Sequence, residues 1–292
     1  MRHGICILPD QPWARSRSLW SAAEEMGFDH AWTYDHLVWG GLPEAQWFSC
    51  MPTLAAAASV TTSIKLGTFV TSPNFRHPAA FSREVQTLRD ISDDRLLVGL
   101  GVGGTPDDHI LGQPELSIGR RVDRFQEFVG VLDATLRDDH VTVDGEYYRI
   151  VDMRLVGGSV RDRVPLLIAG NGPRSIRFAA RHGDGWVTTG RGADTLDEWF
   201  EDIARGCDVL QEARADIGDA GDFDAYLSLD SSPRNSLESI GLFDEMVGRA
   251  DELGFTDVVV HWPRDEEPYR ASVDVLEAVA ARFTPTRSTT RP

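Results

Sequence analysis

The chain has 292 residues, 41% of them hydrophobic, and a formal net charge of −17. That length can bury a sizeable core, as one large α/β domain or two small ones. The acidic balance argues against a nucleic-acid footprint or an anionic-membrane anchor, both of which need clustered Lys and Arg, so any anionic ligand must be held by local donors. Cys6, Cys50 and Cys207 are too few and too far apart for a disulfide framework or a metal knuckle, which suits a reducing compartment. The apolar start at residues 5–8 is broken by Pro9 and Asp10, and no run approaches the roughly 18 apolar residues of a membrane helix. A soluble, cytoplasmic protein is expected.

In chain order, β-type runs occupy residues 4–8, 30–34, 64–71, 95–102, 164–169, 185–189, 223–229 and 256–262. Segments with helical spacing of apolar residues separate most of them. Leu19, Ala22, Ala23 and Met26 form the first stripe and Gly27 ends it as a C-terminal cap. Residues 52–60 form a second stripe, and residues 78–91, opened by Pro78, a third. After the fourth strand the spacing predicts an amphipathic helix over 120–136. A hairpin over 141–150 follows, turning at Asp144 and Gly145. Further helices are expected at 175–181, at 243–253 before Gly254, and at 273–280. Strands alternating with helices predict a (β/α)8 TIM barrel spanning residues 1–283, with the helix and hairpin inserted between strands 4 and 5; a doubly wound open sheet is the runner-up. The loops 216–224 and 230–239 are expected to be mobile, and the tail 284–292 disordered.

Several strand ends carry chemistry. The run 31–39 is an apolar, aromatic strand that delivers Asp35 and His36 to a loop, followed by Trp39. The third strand closes on small and hydroxyl residues, including Thr68, before Arg76 and His77, which are expected to anchor the helix begun by Pro78. Residues 99–104 match G-x-G-x-x-G through Gly99, Gly101 and Gly104, but no convincing helix follows before residue 120, so a dinucleotide-binding turn is disfavoured. Glycines there, with Gly103, let a flat ring approach the backbone. Gly170, Asn171 and Gly172 follow the fifth strand and open a helix, an arrangement suited to an anion. Thr188, Thr189 and Arg191 after the next strand complete a candidate phosphate pocket. The eight histidines are dispersed and no H-x-H or H-E-x-x-H occurs, so no metal site is expected.

Taken together, these stretches resemble the bacterial-luciferase-like flavin and deazaflavin oxidoreductases. The resemblance rests on Tyr34, Asp35 and His36, on Leu66, Gly67 and Thr68 with Arg76, His77 and Pro78, and on the glycine strand 98–103. It also rests on residues 120–127, 144–148 and 169–172, and on 183–186. Within that superfamily the chain is similar to the branch using coenzyme F420, through Asp35, His36 and Trp39 and through residues 188–192. The resemblance implies hydride transfer between F420 and a small organic substrate, with no nucleic-acid or membrane partner and with homodimer formation open. It places the coenzyme ring near Asp35, His36, Phe69 and Val70, with the Phe69–Val70 peptide at the family's non-proline cis bond. It places the phosphate at Gly170, Asn171 and Gly172 with Thr188. His36 is then the expected acid/base, Asp35 orients it or bonds the ring, Trp39 caps the site or stabilises developing positive charge, and Asp10 stands where dehydrogenases of the branch carry an acid. Arg191 would bind the coenzyme tail or a substrate anion. The chain departs from the dehydrogenase pattern just past the glycine strand, where an acid is replaced by Gly104, Thr105 and Pro106, and Asp107, Asp108 and His109 come later. The alternatives are an FMN-dependent luciferase-like monooxygenase and a non-catalytic flavin-binding barrel.

Overall fold

A computed structural model describes residues 1–155, 164–218 and 221–283. The tail 284–292 and part of the acidic loop 216–224 lie outside the described residues.

From the amino terminus the chain forms β1 (Arg2–Cys6), α1 (Trp13–Glu25), β2 (His30–Thr33), α2 (Cys50–Ala58), β3 (Lys65–Thr71), α3 (Pro78–Ile91) and β4 (Leu96–Leu100). Then come α4 (Thr105–Ile110), α5 (Ile118–Arg137), β5 (Val141–Asp144) and β6 (Arg149–Met153). The remainder is β7 (Leu166–Ala169), α6 (Pro173–His182), β8 (Gly185–Thr188), α7 (Leu196–Ile217), β9 (Asp224–Ser228), α8 (Ile240–Glu252), β10 (Asp257–His261) and α9 (Val273–Ala280). All strands but β5 and β6 pair in parallel and close a barrel in the order β1-β10-β9-β8-β7-β4-β3-β2. This is the (β/α)8 architecture; seven barrel strands fall inside runs predicted from sequence, and β1 begins two residues before its run and overlaps it over residues 4–6. β5 and β6 form a separate antiparallel hairpin, which follows α5 in the connection from β4 to β7. Gly27 and Gly254, at φ 86° and 84°, end α1 and α8 in the left-handed region that a side chain would resist.

Two helices were not anticipated. α7 is the longer, and a capping box starts it: Thr195 accepts from the Glu198 amide while Glu198 accepts from the Thr195 amide. α4 directly follows the glycine-rich stretch, so a short helix does succeed the G-x-G-x-x-G run, on a closed barrel rather than an open sheet. The loop 230–239, expected to be mobile, is folded into two 3-10 turns. Asp230 ties them together by accepting from the Ser236 amide at 2.8 Å and its hydroxyl at 2.6 Å.

The barrel interior is filled from its lower end. Trp32 is fully buried, and a Cβ on Gly67 or Gly4 would collide with its ring or with His30. The Trp32 indole donates to His30 Nδ1 at 2.6 Å, His30 Nε2 donates to Asp257 at 2.9 Å, and Arg2 donates twice to Asp257 at 2.8 and 2.6 Å. Arg2, His30 and Asp257 come from three neighbouring strands, β1, β2 and β10, so the network closes the barrel where its first strand meets its last. Burial pushes the Asp257 carboxyl up, but bonds from His30, Arg2 and Thr256 more than compensate and hold it below the usual carboxylate range.

A folded-state value below the unfolded one means stability that is complete above the ordinary Asp range and lost as pH falls through it. Asp257→Asn should lower unfolding free energy in urea by roughly 3 kcal/mol at pH 7. It should also flatten the loss of stability between about pH 4 and the acid limit; an acid arm as steep as that of the parent chain would contradict this account.

Candidate active site

The carboxyl ends of the barrel strands open onto one mouth, the end at which such barrels carry their chemistry. β2 delivers Tyr34, Asp35 and His36 there, and the two polar neighbours part. Asp35 is 1% exposed and accepts from Arg76 Nε at 2.6 Å and Nη2 at 2.8 Å and from Thr71 Oγ1 at 2.7 Å. The other terminal nitrogen of Arg76 bonds Glu84 of α3 at 2.6 Å. Asp35 is thus occupied by a bidentate ion pair, and the hydrogen bond of the His36 ring goes to another residue. Arg76, expected only to anchor α3, also clamps the end of β2; His77 does cap α3, accepting from the Ala79 amide at 3.3 Å.

His36 finds its partner elsewhere. Its Nδ1 lies 2.9 Å from Asp107 Oδ2 on α4, and Asp107 is fully buried. Asp107 Oδ1 accepts from the Leu37 amide at 2.8 Å and, more weakly, from Val38 at 3.4 Å. The acid missing just past the glycine strand is supplied from one turn further on.

An aromatic wall flanks His36. Tyr34 stands edge-on to His36, with ring centres 6.2 Å apart, and edge-on to Trp39 at 5.1 Å. Trp39 lies parallel to Tyr269 at 5.9 Å, and Tyr269 stacks on His261 at 3.6 Å. The Tyr34 hydroxyl lies 2.8 Å from both His261 Nε2 and the Tyr269 hydroxyl. Asp230 backs His261, accepting from its amide at 2.6 Å. Burial pushes the Tyr34 phenol well above its usual range. Burial also pushes the Asp230 carboxyl up, but bonds from His261 and Ser236 outweigh it and leave the group below the usual range.

Opposite the aromatics the floor is nearly bare. The Phe69–Val70 peptide is cis, and Val70 packs so closely over Gly101 that a Cβ there would lie 2.5 Å from Cγ2. Gly103 has φ 80°, and a Cβ on it would crowd Asn74 and Ser72. Thr68 is not free to bind a ligand through its hydroxyl, which donates to the Gly99 carbonyl at 2.8 Å within the wall. At the next two strand ends, Asn171 turns its side chain inward, accepting from Thr188 Oγ1 at 2.9 Å and donating to Thr189 Oγ1 at 2.7 Å. Gly172, at the start of α6, has no side-chain cap, and a Cβ on it would project into open space. The amide-lined helix terminus therefore stays available to an anion. Arg191 turns away from it: exposed, it pairs with Asp202 at 2.9 Å through Nε. Asp10 is likewise taken, by Arg264. Among the described residues no group of His, Cys, Asp and Glu could hold a metal ion, and no helix is long and apolar enough to cross a membrane.

The structure therefore gathers Asp35, His36, Trp39, Phe69, Val70, Gly101 and Gly103 around one mouth, with Gly170, Asn171, Gly172, Thr188 and Thr189 on the strands β7 and β8 that follow. Sequence reading missed Asp107, Asp230, His261 and Tyr269. His261 could have been found, as an imidazole ending the last β-type run.

The family model described as luciferase-like monooxygenase matches residues 1–229. The chain belongs to the luciferase-like monooxygenase family. An F420-dependent glucose-6-phosphate dehydrogenase of Kineococcus radiotolerans is 28% identical over 285 residues, 90% of this chain and 82% of that one. One from Beutenbergia cavernae is 35% identical over 207 residues, 67% of this chain and 59% of that protein. Among solved structures, an F420-dependent secondary alcohol dehydrogenase in complex with an F420–acetone adduct superposes with a TM-score of 0.79 at 18% identity, over 97% of this chain and 99% of that one. The coenzyme F420-dependent tetrahydromethanopterin reductase of Methanopyrus kandleri gives 0.70 at 19%, over 96% and 97%. These two share the fold of this family member.

Because Asp35 is buried, removing its cation strands a charge. Arg76→Gln should cost roughly 3–5 kcal/mol of unfolding free energy, whereas His77→Ala, which removes one long cap bond, should cost about 1 kcal/mol or less. Urea titration of the two variants side by side checks the ranking.

Proposed function

We propose that this family member is a coenzyme F420-dependent oxidoreductase acting on a small alcohol or carbonyl compound. The observation that carries the reading is His36, held by one ring nitrogen at a mouth with a bare glycine floor, in a chain similar over nine-tenths of its length to F420-dependent dehydrogenases. The residues suited to hold the coenzyme are Phe69, Val70, Gly101 and Gly103 beneath its ring. The start of α6 at Asn171 and Gly172 suits its phosphate, with Gly170, Thr188 and Thr189 shaping that loop. When bound, the deazaflavin supplies a carbon that takes or returns a hydride. The protein's own part is proton transfer and shape. As an alcohol becomes a carbonyl, its O–H bond breaks, the electron pair stays on oxygen to form C=O, and His36 Nε2 takes the proton; reduction returns it. Trp39, with Tyr34 and Tyr269, walls the substrate and keeps water out.

Three arginines near the mouth are already neutralised, Arg76 by Asp35 and Glu84, Arg264 by Asp10 and Arg191 by Asp202. That favours an uncharged substrate over a sugar phosphate. Asp10, held by Arg264, then acts in the reading as a support for the last loop rather than as an acid beside the ring.

Fluorescence titration with F420 and with FMN tests the coenzyme: saturable F420 binding is expected, and tight FMN binding with none of F420 would falsify the reading. His36→Ala should bind F420 as the parent chain does and lose on the order of 10²- to 10⁴-fold in kcat on a panel of secondary alcohols.

A further inference from the structure

We infer that Asp107 is a positioning residue that fixes which ring nitrogen of His36 does the chemistry. The inference rests on the proposed role of His36 and adds the group that sets it. An ionised carboxylate only accepts hydrogen bonds. Asp107 accepts backbone amides of Leu37 and Val38 on Oδ1, so the ring nitrogen facing Oδ2 at 2.9 Å must carry the proton. His36 is therefore the Nδ1–H tautomer, and Nε2, which has no partner among the described residues, keeps a lone pair aimed away from Asp107 and free to accept a proton. The His36 side chain is 20% exposed while that of Asp107 is 0%: the acceptor is reachable and its support is not.

The same carboxylate does a second job. By holding the amides of residues 37 and 38 it fixes the loop that carries Trp39, so the imidazole and the indole wall are set from one point. Full burial makes the arrangement stiff, since a charge this deep is tolerated only with its bonds made. The other charged groups around His36 compete little for it. Asp35 is bound by Arg76 and Thr71, Asp108 by Arg124, Asp10 by Arg264, and Asp230 backs His261. Tyr34 presents an aromatic edge to the ring with its hydroxyl on His261 and Tyr269. His109 is exposed. Asp107 is thus the anion that faces the imidazolium formed when Nε2 takes the proton.

The test is Asp107→Asn in the full chain. Its carbonyl oxygen can still accept the Leu37 amide, but its NH2 faces Nδ1 and drives the ring proton to Nε2, where the base should be. Expected are a fall in kcat on the order of 10²- to 10⁴-fold with F420 affinity and KM within about twofold of the parent. Asp107→Glu should recover part of the loss. Wild-type kcat in Asp107→Asn would overturn the inference, and if His36→Ala is inactive in the same assay the reading of His36 survives that outcome. Active His36→Ala would instead sink the reading itself. Should Asp107→Asn fail to fold, the unmodified protein decides: long-range 1H–15N spectra of histidine-labelled chain, with His36 assigned by its loss in His36→Gln, should show protonated Nδ1 and bare Nε2 in the neutral ring. The opposite pattern would overturn the proposal.

Discussion

The interior of a closed eight-stranded barrel has room for a limited set of side chains, and here one indole takes the middle of it. Trp32 leaves no space for a Cβ on Gly67 and, through His30, none on Gly4. Its only polar atom must be satisfied in a dry interior, and His30, Asp257 and Arg2 form the chain that does so. With the lower half packed by Trp32, Leu97, Leu167, Tyr226 and Val259, ligand space can form only at the upper end. There the layer is lopsided, with Tyr34, Phe69 and His261 on one side and Gly99, Gly101 and Ala169 on the other. The bare side of the mouth follows from which residues are small.

Two histidines of this barrel hold their protons in opposite places. The Trp32 indole can only donate, so His30 accepts on Nδ1 and carries its proton on Nε2, where Asp257 takes it. His36 carries its proton on Nδ1 toward Asp107. At His30 both nitrogens are spent and the ring is 2% exposed, which suits a structural role. At His36 one nitrogen is left over. Partner count and access, rather than residue type, separate the inert imidazole from the reactive one. The net charge of −17 has little bearing at the mouth, because Asp10, Asp35, Asp107 and Asp230 each have a donor within bonding distance.

The sequence made the scaffold readable because a parallel barrel strand is apolar on both faces and is punctuated by loops, a pattern local in the chain. All eight barrel strands overlap the runs so predicted, seven of them lying wholly inside. α7 went unnoticed although its start, Thr195 to Glu198, is a capping-box pattern; a helix interrupted by many charges gives a weak apolar stripe. The site was legible residue by residue and much less so in its pairings. Arg76, next to the helix-capping His77, reads as a helix anchor, and nothing local says that it reaches back 41 residues to Asp35. Asp107 lies 71 residues from His36 behind a glycine-rich turn whose path only the closed barrel determines. Arg191 reads as an anion ligand until α7 brings Asp202 beside it.

Asp35 and Asp107 exchange the roles that adjacency suggests, and the geometry of an extended chain requires it. Successive side chains of an extended segment point to opposite sides. Along the end of β2, Trp32 and Tyr34 face the barrel axis while Thr33 bonds the Ile7 carbonyl in the wall. Asp35 continues on the wall side, where Arg76 at the start of α3 meets it, and His36 returns to the mouth. An acid directly before a histidine on such a segment is poorly placed to hold that histidine's ring. It is well placed to latch the strand end to the neighbouring β3–α3 junction, which is what the bidentate pair does. The partner for the imidazole must then come from across the mouth, from a loop free to fold inward, and the glycines after β4 give α4 that freedom. A carboxylate just past β2 and one on α4 thus divide the work: the first holds the end of the strand that carries His36, and the second decides how its proton sits.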